Sequence, residues 1–418
     1  MRSPAPMQGV VFLNSEPLLA DLPPWILIWS PRIVTAIFLF AFGACVGSFL
    51  NVVAYRLPEG RSVVSPPSRC PRCGWRLSWH ENLPIIGWIL LRGRCRRCRG
   101  GISVQYPSIE LLVALLFAIT YFAFFWPVSD SWMTGIGGSW WTRSQLSGAW
   151  PAYLVMVGLL SGLVAATLVD ARTFLIPAGI TTTMTIVAIG GWVVQGLLPT
   201  RISDPSIFPL PLADWTTVFI TLGGLAGTFV ACQLLRSGRI RRSFADYDDY
   251  VKDDDPLAEY PHGRREMKHE LAFLLPILLG GLIGWGVSAI TSIEADPPRV
   301  LGILGAVLLG WFVGGGLVWG VRIFGTLGFG REAMGMGDVH LLAAVGAALG
   351  WVDPIRIFFL APFLALAWIA VSRLVARLAR REGRELPYGP HLAAATFLVV
   401  FARPFVDELQ RALFNPPG

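Results

Sequence analysis

Charge is scarce in this chain of 418 residues, where only 15% are Asp, Glu, Lys or Arg and 54% are hydrophobic. A soluble domain carries about 25% charged residues, so a water-facing surface cannot be built from this supply. The 45 Gly and 31 Pro residues follow no collagen-like period, which excludes a fibrous class, and the hydrophobicity excludes intrinsic disorder. The first 32 residues lack the basic start and small-residue cleavage site of a signal peptide. An integral membrane protein remains. The formal net charge is +7, mostly from Arg, and its placement matters more than its sum.

A membrane span needs roughly 20 mostly apolar residues. Candidates lie at about 33–55, 108–126, 151–169, 178–198, 215–235, 270–290, 300–325, 339–351, 354–376 and 389–402. The eighth and tenth are short and rich in small residues, as suits spans packed inside a bundle. The Trp25–Trp29 patch reads as an interfacial lead-in to the first span. The fold class is therefore all-α, a polytopic membrane bundle of about 8–10 transmembrane helices.

Arginine fixes the orientation. Residues 56–107 hold ten arginines against Glu59 and Glu81, whereas 127–150 hold only Arg143 and Asp130. The basic loop belongs in the cytoplasm. Alternating from there, 236–269 (Arg236, Arg239, Arg241, Arg242, Arg264, Arg265, Lys268) and the Arg377, Arg380, Arg381, Arg384 segment also fall inside. Both termini fall outside.

The cytoplasmic loop carries Cys70-Pro-Arg-Cys73 and Cys95-Arg-Arg-Cys98, separated by 21 residues. Two such knuckles can wrap a tetrahedral Zn²⁺, and a complete Cys₄ set is structural because it leaves no open coordination position. Redox or disulfide pairs are the alternative, disfavoured in the cytoplasm. Cys45 and Cys232 sit in apolar spans as small core residues.

Acidic residues at span ends are costly and tend to be functional. Asp170 closes the third span and Asp338 opens the eighth, in Gly335-Met-Gly337-Asp338. Under the topology above both reach the cytoplasmic boundary, although 168 positions separate them. Held together they form an aspartic-protease dyad, one carboxyl acid and one base. Alternatively, each caps a helix or pairs with Arg172 or Arg331. Glu110, at the start of the second span, reads as a helix-start carboxylate favoured by the dipole.

Together these motifs resemble the type IV prepilin peptidases, a family of GxGD membrane aspartic proteases. The resemblance is carried by Gly43-Ala-Cys-Val-Gly47-Ser-Phe-Leu-Asn51 running to Tyr55-Arg-Leu-Pro58, and by the Cys₄ loop with Trp79-His-Glu-Asn82-Leu-Pro84 and Tyr106-Pro-Ser-Ile-Glu110. Asp170 with Ile176-Pro177, the Gly335–Asp338 motif and Pro387-Tyr-Gly389-Pro390 complete it. It implies cleavage of the leader of type IV prepilins or type II secretion pseudopilins at the cytoplasmic face of a bacterial inner membrane. Asp170 and Asp338 would be the catalytic pair, supported by Gly335, Gly337 and the nearby His340. It also implies methylation of the new N-terminus with S-adenosylmethionine, for which no binding residue is identified. No nucleic-acid partner is expected.

The chain departs from the family in having His340 where Lys is usual and Ala178 where an acid is common. It also carries an added hairpin at about 215–290, an even number of spans that preserves the facing of both aspartates. Its loop holds Asp246-Tyr-Asp-Asp249 and Asp253-Asp-Asp255, either a docking surface for basic leaders or a solvated linker; His262 and His269 are too sparse to suggest a metal. The expected division is a lead-in (1–32), first spans enclosing the zinc loop (33–126) and a peptidase membrane domain (127–418). A rival class is a transporter or pilus or secretion assembly scaffold using Asp170 and Asp338 as an ion relay, but no clear internal symmetry supports it.

Overall fold

A computed structural model describes residues 23–126, 136–199, 208–250, 260–291, 293–379 and 387–414. Asp130, Asp253-Asp-Asp255, Arg380, Arg381, Arg384 and most of the expected lead-in lie outside the described residues. Among the described residues there are thirteen helices. They are α1 (Pro24–Arg56), α2 (Ile86–Leu90), α3 (Gln105–Phe125), α4 (Ser139–Thr173), α5 (Ala178–Leu197), α6 (Trp215–Arg236) and α7 (Tyr247–Tyr250). There follow α8 (Gly263–Thr291), α9 (Arg299–Phe329), α10 (Met336–Leu349), α11 (Val352–Ala379), α12 (Gly389–Phe401) and α13 (Arg403–Phe414). Eight of them (α1, α3, α4, α5, α6, α8, α9 and α11) are long and apolar enough to cross a membrane. The short α10 and α12, of 14 and 13 residues, are the two expected inside the bundle.

Two helices start earlier than their apolar runs suggested. The first span is continuous with a helix from Pro24, because Pro at the helix start needs no N–H partner. Likewise α4 begins at Ser139, and Gln145 (φ 53°) breaks its regular backbone before the membrane stretch. Polar Ser, Thr and Gln residues in that first part had hidden it among loop residues.

Lipid tails are as apolar as leucine, so helices in a membrane associate through close packing rather than hydrophobicity, and small residues allow it. A Cβ added to Gly223, Gly227, Gly280 or Gly284 would stand 2.1 Å from a backbone oxygen of the facing helix, so α6 and α8 pack backbone to backbone. The same holds for Gly310 of α9 against Gly346 of α10. In α1, a Cβ on Gly47 would lie 2.7 Å from the Glu110 Cα of α3, so this motif glycine serves helix packing. α10 is the centre of the bundle, with every residue from Leu341 to Leu349 buried.

One end of the bundle gathers the informative loops. Gly179, opening α5, lies against Leu57 at the foot of α1, so the segment that carries the cysteines leaves α1 at the same end of the bundle as the α4–α5 turn. Arg264 of α8 donates to the Leu327 and Gly328 carbonyls at the end of α9, from Nε at 3.0 Å and from a terminal nitrogen at 3.2 Å. The added hairpin thus opens at this same end.

Candidate active site and metal centre

Asp170 lies in the last turn of α4, where the Phe174 N–H closes the helix on the Asp170 carbonyl in a left-handed cap (φ 55°). The chain then turns through Ile176-Pro177 into α5. Asp338 lies in the first turn of α10, with Gly335 as the N-cap residue. Both carboxylates are buried, with 4% and 9% of each residue exposed. Each faces a backbone N–H at a helix N-terminus: that of Gly389, the first residue of α12, lies beside Asp170, and that of Gly335, the N-cap of α10, lies beside Asp338. A helix N-terminus carries roughly half a positive charge and free N–H donors, so it holds an anion without neutralising it by an ion pair.

The two aspartates share one site. The charge of Asp170 is felt at Asp338. Ile176 sits between their supporting turns: a Cβ on Gly337 would lie 2.9 Å from the Ile176 Cβ, and one on Gly389 would lie 3.0 Å from its Cδ1. The Gly389 position also faces the Asp170 carboxylate, 2.4 Å from Oδ2, so no side chain fits there. Gly335 and Gly337 therefore stand beside the pair, as the motif suggests. His340 does not: two residues beyond Asp338 it falls on the opposite helix face and is exposed.

Four residues acquire roles that the sequence did not assign. Gly389 abuts the Asp170 carboxylate, and Tyr388 lies within reach of the Asp338 charge. The Pro387–Pro390 motif at the start of α12 was the available signal. Glu110 does not act as a helix-start charge; buried in α3, it accepts the Ile85 N–H at 2.6 Å. Ile85 has φ 62°, a costly conformation for a β-branched residue, and this bond ties that turn of the cysteine loop to the bundle. Asn51 donates to the Tyr106 carbonyl at 3.1 Å and ties α1 to α3.

The four cysteine Sγ atoms of the loop all lie within 4.8 Å of one another and could hold a metal ion. Cys70 and Cys98 are 3.8 Å apart and Cys73 and Cys95 are 3.9 Å apart, far beyond a disulfide bond. A tetrahedral zinc with sulfurs at about 2.3 Å has S···S edges of about 3.8 Å, so the donor set fits zinc. The knuckles repeat one backbone pattern: Cys70 N–H to Trp75 carbonyl and Gly74 N–H to Cys70 carbonyl, then Cys95 N–H to Gly100 carbonyl and Arg99 N–H to Cys95 carbonyl. The Cys73 backbone N–H holds the Cys70 thiol down at about 7, while burial and the crowding of the other three thiols push Cys73 up to about 11. Arg97 stacks on Trp75, 5.1 Å from the ring centre, and joins the two knuckles.

Fold and site define a class: a multi-pass helical membrane protein with an aspartate pair and a four-cysteine loop at one end of its bundle. The family model of the Bacterial Peptidase A24 N-terminal domain matches residues 41–124. The chain is similar to curated proteins named prepilin leader peptidase/N-methyltransferase. A protein of that name from Myxococcus xanthus is 56% identical over 91 residues, 22% of this chain and 27% of the relative. Relatives of the same name from Aeromonas hydrophila and Dickeya chrysanthemi are 25% and 26% identical, over 86% and 85% of this chain and 88% and 89% of their own lengths. No solved structure matches the chain.

Proposed function

We propose that this protein is a membrane aspartic endopeptidase that removes the leader from type IV prepilins or type II secretion pseudopilins, with Asp170 and Asp338 as its catalytic pair. The observation that carries this reading is that two buried carboxylates, 168 positions apart, meet at one end of the bundle beside helix N-termini. One carboxylate takes a proton from water, whose oxygen attacks the scissile carbonyl carbon. The other, protonated, donates to the carbonyl oxygen. As the tetrahedral intermediate collapses, the C–N bond breaks and the departing amine takes a proton from the dyad.

The cytoplasmic face of a bacterial inner membrane is the proposed location, supported by the arginine-rich 56–107 loop at the same end as the aspartates. Cys70, Cys73, Cys95 and Cys98 would hold a zinc ion that cross-links the loop. The relatives' names support N-methylation of the new N-terminus, with S-adenosylmethionine as the proposed methyl donor. The division into 1–32, 33–126 and 127–418, the last with its added hairpin, is proposed with it. An ion relay expects acids near mid-membrane, whereas Asp170 and Asp338 lie in terminal helix turns, which favours the peptidase.

The test is cleavage of a synthetic precursor, a short basic leader followed by an apolar helix, by the purified full-length protein. Wild type is expected to release the leader, and Asp170→Asn or Asp338→Asn to lose this by about 10³-fold or more. Unchanged cleavage in either variant contradicts the reading.

A further inference from the structure

The added hairpin reaches the turn that carries Asp338 through one arginine. Arg322, near the end of α9, is 2% exposed, and a guanidinium so buried must have its donors matched. Its Nε bonds both oxygens of Glu270, at 3.0 and 3.2 Å. Glu270 belongs to α8, the second helix of the hairpin, and is itself 3% exposed. Its Oε2 also accepts the Trp319 indole N–H at 2.7 Å, so the carboxylate is locked in place before it meets Arg322.

The far side of the guanidinium points at the aspartate turn. Its terminal nitrogen donates to the Glu332 carboxylate and to the Met334 carbonyl, the residue just before the Gly335 N-cap of α10. The same short loop is tied by the Ala333 N–H, which donates to Thr326 Oγ1 at 3.1 Å. The Arg322 charge itself reaches Asp338.

The hairpin loop closes over the other face of the guanidinium. The Phe244 ring lies 5.2 Å from the Arg322 guanidinium carbon, in cation–π range. Phe244 is held in a left-handed conformation (φ 55°), and its N–H donates to Glu266 at 2.8 Å. The Tyr260 hydroxyl donates to Asp246 at 2.6 Å, and Arg265 joins Asp246 and Glu266, each at 2.8 Å. The described part of this acidic loop is thus a bonded platform under Arg322, a role that neither the docking nor the solvated-linker expectation included.

We propose that Arg322 is a positioning residue for the peptidase reaction: clamped by Glu270 and Phe244 of the added hairpin, it sets the register of the Glu332–Asp338 turn and so aims the Asp338 carboxylate. This rests on the assignment of Asp338 to the catalytic pair. It gives the hairpin a function in catalysis beyond lengthening the bundle. A misplacement of about 1 Å at a reacting group costs on the order of 10²-fold in rate, so the loss of such a clamp is read in kcat.

The test uses the full-length protein and the synthetic precursor, with kcat, KM and thermal midpoint measured for each variant. Arg322→Gln alone strands Glu270 and destabilises the fold. Glu270→Gln/Arg322→Gln removes both charges together; it is expected to keep its midpoint near wild type and its KM unchanged while kcat falls tenfold or more. Arg322→Lys, which retains charge but cannot fork between Glu270 and Met334, is expected to stay slow. Glu332→Ala removes one anchor at a side chain 38% exposed, with little risk to the fold, and is expected to lower kcat about threefold at constant KM. Asp338→Asn is run alongside. If it is inactive while Glu332→Ala or the folded double variant turns over like wild type, the positioning role is overturned and the catalytic pair stands. If Asp338→Asn itself cleaves like wild type, the catalytic pair falls and the positioning role falls with it.

Discussion

Two groups of acids gather at the same end of the bundle, and they are held in opposite ways. Asp246, Glu266 and Glu270 each meet an arginine: Asp246 and Glu266 bind Arg265 at 2.8 Å, and Glu270 binds Arg322 at 3.0 Å. Asp170 and Asp338 instead meet no arginine at salt-bridge distance among the described residues and lie beside backbone N–H groups at the starts of α12 and α10, with the Asp170 charge acting on Asp338. An arginine-paired carboxylate has its lone pairs occupied and serves as a bracket. A carboxylate held by a helix terminus keeps oxygens free to exchange a proton with water. Burial alone does not separate the groups, since Glu270 is as buried as Asp170; the identity of the partner does.

The comparison breaks most directly at Gly389. A methyl group there would press to 2.4 Å from the Asp170 oxygen, so Gly389→Ala is expected to slow precursor cleavage by about 100-fold. Cleavage within threefold of wild type would show that the helix-start cradle is dispensable. At the cysteine loop, Cys73→Ser is expected to lose most of the bound zinc by metal analysis and to lower the thermal midpoint; full zinc retention would break the four-sulfur assignment.

The bracket acids are expected to answer to pH through stability. The Tyr260 hydroxyl and Arg265 hold the Asp246 carboxyl well below the usual carboxylate range. A depressed group stabilises the fold above its unfolded value, about 3.9, and that contribution is lost as pH falls below it. Asp246→Asn is therefore expected to lower the thermal midpoint at pH 7, and the gap from wild type should close as pH drops from about 4 towards 2. A gap independent of pH would remove the ionic bracket. The smallest effect compares the two knuckles, where Gly74 (φ 68°) and Arg99 (φ 55°) occupy equivalent turns. Arg99→Gly should relieve left-handed strain and stabilise the loop by about 1 kcal/mol in denaturant unfolding.

What could be read from the sequence depended on whether a signal was carried by side chains close in the chain. The Cys₄ loop was legible because each knuckle is local and thiols advertise their chemistry. Asp170 and Asp338 were legible because arginine counts in other loops set their common depth. The close approach of Gly389 and Gly335 to the two carboxylates was not, since backbone groups leave no compositional trace. Arg322 was hidden as a single charge near the end of an apolar run, with its partner Glu270 in the added hairpin, 52 positions earlier. Glu110 was misjudged because its partner, Ile85, is a backbone group in a loop without regular structure. His340 lies on another face of α10 from Asp338, since residues two apart on a helix do not share one.

The central claim is that Asp170 and Asp338 act as one unit, and a double-mutant cycle on cleavage tests it most directly. Groups that work together are non-additive, so removing the second after the first costs little more. The residual cleavage rate of Asp170→Asn/Asp338→Asn is expected to equal that of either single variant. A double variant slower by the product of the two single losses, or a single variant retaining wild-type cleavage, would contradict the account.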